Sequence, residues 1–93
     1  MAARELRLPA APGDVVLRAA RALRRLGARI VRYDAEEGTL EARCGRRLLP
    51  ETIRLRAVPE GEGAVRVVIE TGGFDWRALV RQLAAELEAA DWR

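Results

Sequence analysis

The strongest constraint on this chain is a strict two-residue alternation through its middle. In 39–44, Leu40, Ala42 and Cys44 alternate with Thr39, Glu41 and Arg43; in 52–58, Ile53, Leu55 and Ala57 alternate with Thr52, Arg54 and Arg56. Successive Cβ atoms of a strand point to opposite sides, so period two marks strands with one face buried and one in water. A third run, 64–70, sets Val65, Val67 and Ile69 against Arg66, Val68 and Glu70. Such strands in succession call for an antiparallel sheet with one covered face, and the rest of the chain has to supply the cover.

Two segments fit that role. Val16, Ala19, Ala20, Leu23 and Leu26 recur at helical spacing between Asp14, placed to cap the start, and Gly27, suited to the end. Near the C-terminus Trp76, Leu79, Val80, Leu83 and Leu87 form a second apolar stripe, with Asp75 as its cap. Glu5-Leu6-Arg7-Leu8 reads as a short opening strand, broken by Pro9, Pro12 and Gly13. A strand over 28–34 joins 39–44 through Ala35-Glu36-Glu37-Gly38, and Pro59-Glu60-Gly61-Glu62-Gly63 turns the second hairpin.

The expected fold is α+β, in the order β-α-β-β-β-β-α, with one antiparallel sheet and two helices packed on one face. All 93 residues read as one small domain. Only 28–34 has an ambiguous register: hairpin pairing puts Val31 and Tyr33 inward and sets Arg32 against Glu41 outside, and a one-residue slip reverses this.

Composition narrows the chemistry. All 17 basic residues are arginine, while Lys, His, Ser and Asn are absent, a bias expected of a GC-rich and thermophilic source. The common general base, hydroxyl nucleophile and Schiff-base amine are therefore missing, so no enzyme activity is expected and no catalytic residue is nominated. Cys44 lies near Arg43, Arg46 and Arg47, which favour a thiolate, but its alternation with Leu40 and Ala42 predicts a buried, inert thiol. One cysteine cannot build a multi-cysteine metal site, and Asp34, Glu36 and Glu37 lack calcium-loop spacing, so no metal or cofactor is expected. There is no apolar run of about 18 residues and no signal-peptide core, which points to a cytoplasmic protein without membrane contact.

Arginine placement supplies the candidate sites. Residues 1–32 hold eight Arg against two acids and residues 33–93 nine against twelve, so the charge is polarised although the net value is +3. Arg18, Arg21, Arg24 and Arg25 form a basic stripe on the first helix; Arg43, Arg54, Arg56 and Arg66 stand on the open sheet face among Glu5, Glu41 and Glu70. Leu48 and Leu49, in the connection between the hairpins, either plug the open end of the core or form a contact with a second copy, as a homodimer, or with another partner.

The succession from Pro12 to Gly38, with Leu26-Gly27-Ala28, Ile30-Val31 and Asp34 before Gly38-Thr39-Leu40-Glu41-Ala42, resembles small bacterial domains of β-α-β4-α order. That order is similar to the TATA-box-binding protein repeat and to compact helix-grip domains. The resemblance implies an open curved sheet able to receive a ligand. It does not carry DNA binding over, because Arg and Glu stand where that family places apolar wedges.

The leading expectation is a non-catalytic binding or assembly module contacting an acidic protein partner through the Arg-rich sheet face or the basic helix. The alternatives are weak, sequence-independent nucleic-acid binding and small-ligand binding in the concave sheet.

Overall fold

The computed structural model describes residues 2–44, 51–72 and 77–92. The elements follow the order β1 (Ala2–Leu8), α1 (Pro12–Arg25), β2 (Arg29–Asp34), β3 (Thr39–Cys44), β4 (Glu51–Pro59), β5 (Val65–Thr71) and α2 (Arg77–Ala89). The strands form one sheet in the spatial order β1-β5-β4-β3-β2, with every neighbouring pair antiparallel. β1 and β2 are thus the two edges, and α1 carries the chain from one to the other.

The alternation determines which face is covered. Leu40, Ala42, Ile53, Leu55, Ala57, Val65, Val67 and Ile69 are all buried, packed with Val15, Val16, Ala19 and Leu23 of α1 and Leu83 and Leu87 of α2. Burying each Val, Leu or Ile side chain contributes about 1.5–3 kcal/mol, which makes this apolar layer the main support of the fold. Cys44 is buried, as its position in the alternation requires.

The helix ends show which local signals matter. α1 begins at Pro12 after the extended residue Ala11, so Asp14 lies inside the first turn, where its charge suits the helix dipole, and is not the cap. Its C-terminus closes as expected at Gly27: with φ of 92°, Gly27 donates to the Arg24 carbonyl at 3.1 Å, and Ala28 donates to Leu23 at 2.9 Å. This paired closure satisfies carbonyls that the helix leaves open and needs a left-handed residue, which glycine supplies at least cost. Asp75 and Trp76, expected to start the second helix, lie outside the described residues.

Gly38 has a heavier duty than its turn position suggests. Its φ is 71°, its carbonyl accepts from the Ala57 N–H at 2.7 Å, and a Cβ there would stand 2.4 Å from the Ala57 carbonyl oxygen. The β2–β3 turn therefore folds directly against β4.

The ambiguity in β2 is resolved by a bulge. Ile30 faces Ala42 and Tyr33 faces Leu40, with a register shift between them, so Val31 and Arg32 both fall on the outer side across from Glu41. Arg32 pairs with Glu41 as expected and Tyr33 keeps its inward parity, but Val31 does not turn inward; Val31 and Tyr33 remain 41% and 44% exposed at this edge.

Candidate functional site

The face away from the helices carries the charged half of each alternation. Antiparallel pairing places Arg32 opposite Glu41, Glu41 opposite Arg54, and Arg54 opposite Glu70, a row of alternating charge across four strands. The adjacent row runs Asp34, Thr39, Arg56 and Val68. Between these rows lies a concavity of about 370 Å³, lined by Arg32, Thr39, Glu41, Arg54, Arg56 and Glu70, with Val68 on its floor. That volume falls within the range of about 300–1,000 Å³ usual for small-molecule sites.

The charges in this cleft are unequally committed. Arg54 Nε donates to Glu41 Oε1 at 2.8 Å, which holds the Arg54 fork in place. Arg32 and Arg56 form no ion pair among the described residues, so their guanidinium donors are available to a ligand. Three Arg against two Glu leave the cleft with a surplus of one positive charge.

Several other arginines already have partners. Arg66 lies 3.6 Å from Glu5 and 3.4 Å from Glu60, and Arg7 pairs with Glu60 at 2.6 Å, forming a four-residue cluster near β1. The Arg66 Nε contact to Glu60 is an ion pair out of line for a hydrogen bond, since that nitrogen has no hydrogen-bond acceptor. On α1, Arg25 pairs with Glu86 at 2.6 Å, and Arg18 stacks over the Trp92 ring at 5.2 Å from its centroid. Trp92 is itself fixed by donating from Nε1 to the Leu87 carbonyl at 2.9 Å.

The candidate residues are therefore dispersed. Arg54 and Arg56 meet in the cleft; Arg43 is exposed on the same face but does not line it, and Arg66 belongs to the β1 cluster. Arg18 and Arg21 border a smaller hollow of about 250 Å³ beside Trp92, on the helix side, while Arg24 is exposed away from both cavities. Leu48 and Leu49 lie outside the described residues. Sequence reasoning placed Glu41 and Glu70 among the open-face arginines but did not nominate Arg32 or Thr39 as companions of Arg54 and Arg56. The available signal was the Arg32–Glu41 pairing, which brings the edge strand's guanidinium to the same face.

No protein-family model matches the chain, and no curated sequence is similar to it. Solved structures do share its fold. One chain of the crystal structure of the adenylate sensor from AMP-activated protein kinase complexed with ATP is similar at a TM-score of 0.70 and 18% identity, over 88% of this chain and 93% of that one. A chain of the same sensor in complex with the ribofuranotide ZMP matches at 0.70 and 18%, over 91% and 95%. The chain is a small α+β domain with the fold of these sensor chains. The expected likeness to the TATA-box-binding repeat finds no support among them.

The leading functional expectation, a module contacting an acidic partner, does not hold. A module gripping an acidic protein partner through its arginines is not what these neighbours point to, since their structures hold small ligands. Part of the physical reason lies in the pairing: on the sheet Arg7, Arg54 and Arg66 are already held by carboxylates, and on α1 Arg25 is held by Glu86, so these arginines are not free to grip an acidic partner.

Proposed function

We propose that the open-face cleft binds a small phosphorylated ligand of the nucleotide class and that the domain acts as a non-catalytic ligand-binding module. The observation that carries this reading is the convergence of Arg32 and Arg56, both without an ion pair among the described residues, on one cleft beside the Glu41-held Arg54. A guanidinium offers a planar fork of donors that matches phosphate oxygens. The interleaved acids, which would repel a long polyanion, suit a nucleotide: Glu70 and Glu41 can accept from ribose hydroxyls while the arginines hold phosphate. The shared fold with chains from ATP-bound and ZMP-bound sensor structures supports the same ligand class.

The cleft is open to water, so screening keeps each contact modest and the affinity is expected in the range of about 10 μM to 1 mM. Calorimetric titration with ATP, AMP and inorganic triphosphate tests the reading. Binding of ATP or AMP that weakens about 5- to 30-fold in Arg56→Ala supports it, corresponding to about 1–2 kcal/mol for a lost charge-assisted contact. Triphosphate binding as tightly as ATP would reduce the site to a phosphate grip. No heat with any of them at millimolar ligand would overturn it.

A further inference from the structure

The two edges of the sheet are unlike. β2 is interrupted by its bulge and exposes Arg29, Val31, Arg32 and Tyr33, a combination that twists and charges an edge against pairing. β1 pairs with β5 through seven consecutive residues without a register shift, and among the described residues no strand lies on its outer side. A regular edge of this length presents a row of unpaired backbone donors and acceptors, which is a template for another strand.

The side chains of β1 select what that strand is. Glu5 and Arg7 share the open side, as their cross-strand partners Val68 and Arg66 on β5 do. An antiparallel two-fold centred on Glu5 would set Glu5 against its own copy, and one centred on Arg7 would set Arg7 against its copy. A two-fold centred on Leu6 instead places Glu5 opposite the second copy's Arg7, and Arg7 opposite its Glu5, so the edge is self-complementary in one register only. Opposite charges directly across a pair of strands stabilise it, and like charges there oppose it. Glu5 and Arg7 each have an internal partner, Arg66 at 3.6 Å and Glu60 at 2.6 Å, so the contacts between copies add to these pairs, while Arg4, on the helix side, lies 3.5 Å from Glu88.

From this juxtaposition we infer that β1 is a homodimer edge, pairing antiparallel with β1 of a second copy about Leu6 and joining two five-stranded sheets into one. The ligand cleft is lined from β2 to β5, with no residue of β1 among its walls, so both clefts stay open on the same side of the joined sheet.

Sedimentation velocity on the full chain, across concentrations from about 1 μM to 1 mM, is the test, since edge pairing without a large apolar interface gives weak association. The wild type is expected to dimerise in this range, and Glu5→Arg and Arg7→Glu singly to weaken dimerisation about tenfold or more, because symmetry brings each like-charge contact in twice. The double variant Glu5→Arg/Arg7→Glu is expected to restore it. The internal contacts Glu5–Arg66 and Arg7–Glu60 become like-charged in the double variant, so simple destabilisation predicts no recovery. Circular dichroism melts confirm that each variant is folded. A wild type that stays monomeric to the top concentration, or a dimer indifferent to all three variants, overturns the inference.

Discussion

The two faces of the sheet are cut from the same strands, yet different interactions rule them. On the helix side Ile53, Leu55, Val67 and Ile69 are closed off from solvent and pack into the single apolar core beneath the helices. On the other side Arg54, Arg56 and Glu70 stand in water, where an ion pair such as Arg54–Glu41 contributes a few tenths of a kcal/mol. Stability therefore resides on one face, which leaves the other chemically free: its residues can be chosen for a ligand at little cost to the fold. The separation sharpens at Arg56, which adds nothing to the ion pairing of the described face and yet lines the cleft.

The largest effect expected from breaking this contrast is on the covered side. Leu55→Ala should lose about 2–5 kcal/mol of unfolding free energy in urea denaturation, from lost transfer energy and the cavity left behind. Gly38→Ala comes next. It forces a Cβ to within 2.4 Å of the Ala57 carbonyl in a left-handed backbone, and should cost at least about 1–3 kcal/mol in the same assay. Arg54→Ala removes the Glu41 pair and should change stability by less than about 1 kcal/mol while weakening nucleotide binding. The smallest change in stability is expected for Arg56→Ala, within about 0.5 kcal/mol, with its consequence confined to ligand affinity. A large loss of stability in either arginine variant would show that the open face carries part of the fold.

Much of the architecture was legible because burial follows parity. Once Leu40, Ile53 and Val67 are assigned to one side, the pairing of three strands and the need for two covering helices follow. The bulge in β2 was not legible, because Ile30, Val31 and Tyr33 fit either register and only the packed sheet makes Ile30 and Tyr33 face inward together. The start of α1 was misplaced by three residues because Asp14 is a good cap in isolation, whereas the cap is Ala11 and Pro12 has the dihedral suited to a first helical turn. Of the site, Arg54 and Arg56 were visible as outward arginines and Glu41 and Glu70 as outward acids among them. Arg32 and Thr39 come from two further strands, and which outward residues converge depends on the lateral strand order, a long-range property that local pattern does not encode.

The most direct measurement is an amide-resolved NMR titration with ATP. Binding in the open-face cleft should give saturable shifts at Arg32, Thr39 to Glu41, Arg54 to Arg56 and Val68 to Glu70, with the amides of α1 unmoved. Shifts concentrated along Arg18 and Arg21 beside Trp92, or none at millimolar ATP, would contradict it.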